Sequence, residues 1–97
     1  TIGASTDDDD VAAFSSRGPT SDGRVKPEVV LPGVNIISAR AAGTTLGTGQ
    51  VDDYYTSLSG TSMATPHAAG VAALILAANP ALAPGQIKDI FKTTAVD

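Results

Sequence analysis

A serine four residues before a proline is the feature of this 97-residue sequence with the clearest chemical potential. Ser62 and Pro66 lie in the segment Gly60-Thr61-Ser62-Met63-Ala64-Thr65-Pro66-His67. Proline lacks the N–H that bonds the carbonyl four residues earlier in a helix and is tolerated best in the first turn, so a helix is predicted to begin close to Ser62. A hydroxyl and an amide at that end lie at the positive pole of the helix dipole, where a developing oxyanion is stabilised. The segment predicts a nucleophile; the alternative is that Ser62 or Thr61 only caps the helix.

A nucleophilic serine needs a general base, and the sequence contains one histidine. His67 follows Ser62 by five residues. On a helix that offset is about 140° around the axis and ~7.5 Å along it, so the two side chains are predicted to point apart. His67 is therefore predicted to have a structural, helix-packing role, and the base for Ser62 must come from elsewhere.

Short strands are predicted ahead of this helix. Residues 1–5, 28–31 and 34–38 are β-like runs separated by glycine and proline. Residues 39–60 are rich in glycine, threonine and serine, which predicts a loop with an antiparallel ribbon. Residues 61–97 are predicted to be helical.

The first predicted helix has no polar face over residues 68–78. A helix that is apolar all round is buried on every side, and eleven residues are too few to cross a bilayer, so this segment predicts a central core helix. Gly70 costs about 1 kcal/mol of helix propensity relative to alanine, which predicts close packing at that position. Asn79-Pro80 is predicted to end the helix.

A second helix is predicted to begin at Pro84, a favoured residue for the first turn. Ala83 is a poor N-cap, so this end is weakly specified. Apolar residues recur at helical spacing and charged ones face the other way, which predicts an amphipathic surface helix whose apolar side chains belong to the core: Ile87, Ile90 and Phe91.

Two further motifs precede the serine. They are Phe14-Ser15-Ser16-Arg17-Gly18-Pro19 and Lys26-Pro27-Glu28-Val29-Val30-Leu31-Pro32-Gly33-Val34-Asn35-Ile36-Ile37-Ser38. With the segment around Ser62, in this order and at this spacing, they resemble the subtilisin-like serine proteases (subtilases, peptidase family S8), and the resemblance covers essentially all 97 residues. Leu31 stands where a small residue is common, and an acidic run at residues 7–10 fills a loop of variable length; neither touches the chemistry.

The resemblance implies an α/β, subtilisin-like parallel-sheet fold. Residues 1–97 would be the C-terminal third of a single catalytic domain, with short strands, a loop, a central buried helix and a closing amphipathic helix. Ser62 would be the nucleophile of a serine endopeptidase that hydrolyses peptide bonds through an acyl-enzyme, with the Ser62 N–H and the Thr61 hydroxyl as oxyanion support. Subtilisins order their triad as Asp, His, Ser, so the aspartate, the histidine and an oxyanion asparagine are expected upstream of Thr1, and the 97-residue chain alone is expected to be inactive.

The resemblance also implies partners and a location. Expected partners are the N-terminal remainder of the same domain, polypeptide substrates, and a propeptide or inhibitor, in a secreted protein. The chemistry needs no cofactor. A structural calcium ion is left open, because the four aspartates at residues 7–10, Asp22 and Asp52-Asp53 offer carboxylates; the alternative for residues 7–10 is a solvated loop.

Composition agrees with a fragment and excludes some partners. Ten acidic residues against six basic ones give a formal charge of −4, which argues against nucleic acid or an anionic membrane. Two phenylalanines, two tyrosines and no tryptophan are a thin supply of large apolar side chains to cover the first helix. The sequence has no cysteine, so no disulfide stabilises it and no redox compartment is indicated.

Two other functions are weighed against a protease. One is a non-catalytic truncated or nicked fragment that acts as a structural or interaction partner. The other is an esterase-type hydrolase on another fold, whose nucleophile motif is G-x-S-x-G. Ala64 occupies the position of the second glycine, which disfavours the esterase.

Overall fold

The computed structural model describes residues 1–46 and 49–96. Residues 47, 48 and 97 lie outside the described residues. The loop predicted over residues 39–60 is therefore not described at 47 and 48, and the helical region predicted over 61–97 is not described at 97. The described strands and helices follow the chain as β1 (Ile2–Ser5), β2 (Val29–Pro32), β3 (Ile36–Ala39), β4 (Gly49–Gln50), β5 (Tyr55–Leu58), α1 (Thr61–Ala78) and α2 (Pro84–Thr94). The three predicted strands, the ribbon and both helices are confirmed.

The strands form two separate small sheets. β1 and β2 pair in parallel, with Ile2 opposite Val29 and Ser5 opposite Pro32. β5 lies between β3 and β4 in an antiparallel sheet. The parallel pair with helices is compatible with the predicted α/β class, and the antiparallel ribbon leads directly into α1.

A small core lies where α1 packs against β1 and β2. Ala4 on β1 and Ala64 on α1 are both fully buried. The other apolar side chains of this cluster are Ala12, buried, and the partly buried Ile2, Leu31 and Val34. Alanines dominate because the helix lies close to the strands.

Burial of residues 68–78 on every side is not supplied by this chain, as expected if the cover comes from protein outside this sequence. Of the eighteen residues of α1, Ala64 and Ala68 are the buried ones, and Leu74 is 72 % exposed. The close packing predicted at Gly70 is also missing, since a Cβ there would meet no atom within 4 Å. The reason is that β1 and β2 cover one face of the helix, and no other described element covers the opposite face.

α1 also passes a length and composition test for a membrane span, which the shorter segment 68–78 was predicted to fail. It is the one such helix within the described residues. Core helices of globular proteins pass the same test. The length and composition of α1 therefore do not distinguish a membrane span from a core helix. The exposed face of α1 shows only that part of its apolar surface has no cover among the described residues.

α2 begins at Pro84 as predicted, and its weak N-cap is compensated. The Ala83 N–H donates to Oε1 of Gln86 at 2.8 Å, which supplies one half of a capping box. Ile87 and Phe91 line a cavity of about 260 Å³ with Ile2 and Val29. The apolar face of α2 therefore turns toward β1 and β2, although none of its side chains is buried.

Glu28 connects α2 to the parallel sheet. Its carboxylate accepts hydrogen bonds from Nζ of Lys88 at 2.8 Å, from Nζ of Lys26 and from the Thr1 hydroxyl at 2.6 Å. The hydrogen bonds from Lys26, and then from Lys88, hold the pKa of Glu28 far below its ordinary value of 4.5. The ionised carboxylate therefore stabilises the folded chain.

We expect Glu28→Gln to lower the midpoint of thermal unfolding at pH 7. Because folding depresses the pKa of Glu28, its contribution is complete above the ordinary value of 4.5 and declines as the pH falls below it. The variant should thus show a flatter loss of stability below pH 4.5 than the unchanged protein. Asp89→Asn on α2 is the control, and circular dichroism melts across pH measure both. Parallel pH profiles for Glu28→Gln and the unchanged protein would contradict the prediction.

Candidate active site

Ser62 is exposed in the first turn of α1, as predicted. The helix starts at Thr61 with Gly60 as N-cap, and the N–H groups of Met63 and Ala64 bond the Gly60 carbonyl at 2.9 and 3.2 Å. The Ser62 N–H has no acceptor within the described residues. A free amide and a free hydroxyl therefore sit together at the positive end of an 18-residue helix.

Pro66 lies inside α1, as its sixth residue, and not in the first turn. It has no N–H to offer the Ser62 carbonyl four residues earlier, so this carbonyl lacks its usual helical partner. The Thr65 hydroxyl meanwhile donates to the Thr61 carbonyl at 3.0 Å. The helix nevertheless continues through Pro66 to Ala78.

A backbone contact between two glycines fixes the approach to Ser62. The Gly60 N–H donates to the Gly33 carbonyl at 2.7 Å, and the Gly33 N–H donates to the Ser5 carbonyl at 3.1 Å. A Cβ on Gly33 would lie 2.6 Å from Cβ of Ala4 and 2.8 Å from the Gly60 oxygen. The Gly33–Gly60 contact therefore needs a glycine at position 33, a role that sequence reasoning missed although it placed Gly33 in a motif.

The segment 14–19 contacts β1 through Ser15 and the site through Ser16. Ser15 is buried, and its Oγ accepts the Ala4 N–H at 2.9 Å. Oγ of Ser16 lies 3.4 Å from Oγ1 of Thr61. Sequence reasoning gave neither serine a role. Thr61, the predicted oxyanion support, is thereby linked to a motif 45 residues earlier in the chain.

His67 bonds within its own helix. Its Nδ1 lies 3.0 Å from the Met63 carbonyl, and because a carbonyl only accepts, Nδ1 carries the proton. The side chain is half-buried, and the described hydrogen bonds include none between His67 and Ser62. This geometry supports the structural role that the sequence predicts for His67.

We expect His67→Ala to lower stability by about 1–3 kcal/mol, because it removes packing and the hydrogen bond to Met63. In a larger protein that contains this chain, covalent labelling of Ser62 by a fluorophosphonate should be unaffected by this substitution. Urea unfolding and mass spectrometry of the labelled peptide measure the two effects. Loss of labelling in a variant that is still folded would show that His67 acts in the chemistry.

A cavity of about 730 Å³ lies between α1 and the β3–β5 ribbon, with Ser62 in its wall. Its residues on α1 recur at helical spacing: Ser62, Met63, Pro66, His67, Gly70, Val71 and Leu74. They form one face of the helix, roughly opposite to the face of Ala64 that packs on β1 and β2. The cavity therefore occupies the uncovered side of α1.

The acidic residues do not converge. Those at residues 7–10 are exposed in a turn, Asp22 contacts Arg24 at 3.0 Å, and Oδ1 of Asp52 accepts the N–H of Tyr54 at 2.7 Å. Within residues 1–46 and 49–96, no three histidine or acidic side chains group closely enough to hold a metal ion. A structural calcium ion stays a prediction.

The family model described as "Subtilase family" matches residues 1–97. The chain belongs to the subtilase family. Serine protease AprX of Bacillus subtilis is 52 % identical over 93 residues, which cover 92 % of this chain and 21 % of that protein. Subtilisin-like protease SBT1.7 of Arabidopsis thaliana is 44 % identical over 90 residues, covering 88 % of this chain and 12 % of the relative. Subtilisin-like protease SBT3 of Solanum lycopersicum is 44 % identical over 91 residues, with 88 % and 12 % covered.

These matches confirm the resemblance carried by the three motifs. The chain spans about a fifth of the length of the Bacillus relative, at 21 %, and less of the plant relatives, at 12 %. The relatives are named as serine or subtilisin-like proteases.

Proposed function

We propose that residues 1–97 are the nucleophile-bearing, C-terminal part of the catalytic domain of a subtilisin-like serine endopeptidase. The observation that carries this proposal is the exposed Ser62 hydroxyl beside its own free N–H at the start of α1. Membership of the subtilase family supports a proteolytic role for this serine. The larger protein that contains this part is called the complete protease below.

Ser62 acts as the nucleophile. Its Oγ attacks the scissile carbonyl carbon, and its proton passes to a histidine in the remainder of the catalytic domain, outside residues 1–97. An aspartate of the same remainder orients this histidine. The carbonyl oxygen becomes an oxyanion, which the Ser62 N–H stabilises together with the Thr61 hydroxyl and an asparagine of the remainder. The histidine then gives its proton to the leaving amine, and water hydrolyses the acyl-enzyme by the reverse steps.

The remainder of the domain is the main partner of this chain. The uncovered side of α1 supports this, because Val71 and Leu74 line the cavity there and are 38 % and 72 % exposed. Contiguous exposed apolar surface marks an interaction site. Polypeptides are the proposed substrates, and a propeptide or inhibitor is the second proposed partner. We further propose a secreted protein, with calcium in a structural role only.

Labelling with a fluorophosphonate probe tests the function. In the complete protease the probe should modify Ser62, because the helix terminus and an adjacent imidazole activate this hydroxyl above the other serines. Residues 1–97 alone should remain unlabelled. Peptide mapping by mass spectrometry reads both results. Labelling at another serine would contradict the proposal, and an unlabelled, assembled protein would favour the non-catalytic fragment.

We expect Gly70→Ala to destabilise the complete protease by about 1–3 kcal/mol, because a methyl group would crowd the protein that covers α1. In residues 1–97 alone that methyl group meets nothing within 4 Å, and alanine gains about 1 kcal/mol of helix propensity. Gly85→Ala on α2 is the control, and urea unfolding is the measurement. A more stable complete protease with Gly70→Ala would mean that this side of α1 stays uncovered.

A further inference from the structure

The hydroxyl of Thr61, the residue before Ser62, contacts a second hydroxyl. Oγ of Ser16 lies 3.4 Å from Oγ1 of Thr61, and either oxygen can be the donor. Among the described residues, neither hydroxyl has another hydrogen-bond partner. The contact is long for two hydroxyls, whose oxygens prefer a separation of about 2.7–2.8 Å. It therefore stabilises the folded chain little, and its geometry leaves room for the bond to tighten.

Ser16 is held in place by the residue before it. Ser15 is buried, and its Oγ accepts the Ala4 N–H at 2.9 Å and donates to the Ser16 carbonyl at 3.3 Å. Ala4 is fully buried and packs in one cluster with Ala64 of α1, three residues after Thr61. The two hydroxyls therefore belong to parts of the chain that pack against the same core, and this packing sets the distance between them.

The role proposed for Thr61 decides the direction of this hydrogen bond. A threonine hydroxyl has one hydrogen to donate and lone pairs that accept. Support of an oxyanion uses that hydrogen, so Oγ1 of Thr61 can then contact Ser16 only as an acceptor. We propose that Ser16 is a positioning residue, which donates to Oγ1 of Thr61 and so keeps the Thr61 hydrogen directed at the oxyanion. This inference rests on the proposed function, in which Thr61 supports the oxyanion.

The hydrogen bond from Ser16 strengthens as negative charge develops on the substrate oxygen. Hydrogen bonds to an ionised group are shorter and stronger than neutral ones, and bonds in a chain polarise one another. An interaction that is weak in the ground state and stronger in the transition state lowers the barrier without tightening substrate binding. Ser16 therefore contributes to kcat and leaves KM unchanged.

Steady-state kinetics of the complete protease test this role. Ser16→Ala should lower kcat about five- to tenfold with KM unchanged, the size expected for one hydrogen bond. The kcat is counted per Ser62 that a fluorophosphonate labels at saturation, so unfolded molecules do not enter it. Ser16→Thr keeps a hydroxyl at this exposed position and should restore most of the loss. Ser21→Ala, at an exposed serine whose side chain has no hydrogen bond among the described residues, is the control.

Two results of these kinetics would overturn the inference. One is a Ser16→Ala variant whose kcat is unchanged or whose KM alone rises. The other is a Ser16→Thr variant that recovers none of the lost kcat, because the hydroxyl would then not be the group that matters.

Thr61→Val tests whether Ser16 acts through Thr61. Valine removes the hydroxyl and keeps the branched shape of the side chain, so kcat should fall further than in Ser16→Ala. In the Thr61→Val background, Ser16→Ala should change kcat no more, because the hydroxyl that Ser16 directs is gone. An equal loss in both backgrounds would show that Ser16 acts independently of Thr61, and would overturn the inference.

Failure of this inference can be told from failure of the proposed function. Fluorophosphonate labelling of Ser62 in the unchanged complete protease reports on the function alone. Labelling together with unchanged kinetics in Ser16→Ala would overturn the role of Ser16 and leave the protease assignment standing. An unlabelled and inactive complete protease would overturn the proposed function, and the role of Ser16 with it.

Discussion

Replacing Ser62 by alanine in the complete protease is expected to lower peptide turnover by about 10⁶-fold, as is typical for the loss of a catalytic serine nucleophile. The remaining rate reflects substrate binding and the oxyanion donors, which the substitution leaves in place. The fold should be unaffected, because Ser62 is exposed and its Oγ takes part in no hydrogen bond among the described residues. Turnover of a peptide ester and a thermal melt measure the two properties.

Ser57→Ala is a matched control for this loss. Ser57 lies in β5, pairs with Ile37 and Gly49 through the backbone, and has no helix terminus beside it. Turnover of this variant should remain near that of the unchanged enzyme. Retention of activity in Ser62→Ala, at a level that contaminating protease does not explain, would contradict the assignment of the nucleophile.

The second large effect is expected at Gly33, which touches no substrate. Gly33→Ala adds a methyl group that would lie 2.6 Å from Cβ of Ala4 and 2.8 Å from the Gly60 oxygen. Because Ala4 is fully buried, it has no room to move away, so the strain falls on Gly60. We expect a loss of about 3 kcal/mol, at the upper end for overpacking. The displaced Gly60 should also move the start of α1, so turnover should fall beyond what the lost stability explains.

Gly85→Ala is the control for Gly33→Ala, since a Cβ at Gly85 would meet no atom within 4 Å. Guanidinium unfolding gives the stability, and the turnover of the folded fraction gives the effect on the site. A Gly33→Ala variant as stable as Gly85→Ala would show that the Gly33–Gly60 contact is loose. A destabilised variant with unchanged turnover would show that the contact stabilises the fold without positioning Ser62.

Much of the local structure was predictable from short-range effects. The start of α1 near Ser62 followed from Pro66, and the start of α2 followed from Pro84, because proline restricts the backbone of its own turn. The strands β1, β2 and β3 followed from apolar runs between glycines and prolines. The expectation that proline is tolerated best in the first turn did not predict Pro66 in the second turn. Its position there is possible because Ser62 is exposed, so water can bond the carbonyl that Pro66 leaves without a helical partner.

The burial of α1 depends on more than this chain. The apolar composition of residues 68–78 predicted a core helix, yet β1 and β2 cover only the face of Ala64 and Ala68. An apolar composition indicates that a helix is stable only when its surface is buried. It does not indicate which part of the protein buries that surface. The same limit applies to Gly70, whose predicted neighbour is missing from the described residues.

By itself the sequence determined the family, the nucleophile candidate and the order of the elements, because motifs and backbone preferences act over a few residues. Only the tertiary structure decided what holds Ser62 in place and what remains unsatisfied. The Gly33–Gly60 hydrogen bond, the approach of Ser16 to Thr61 and the lack of an acceptor for the Arg40 Nε among the described residues each depend on how distant segments meet. Such contacts arise from strand pairing and packing across tens of residues, and no local pattern encodes their distances.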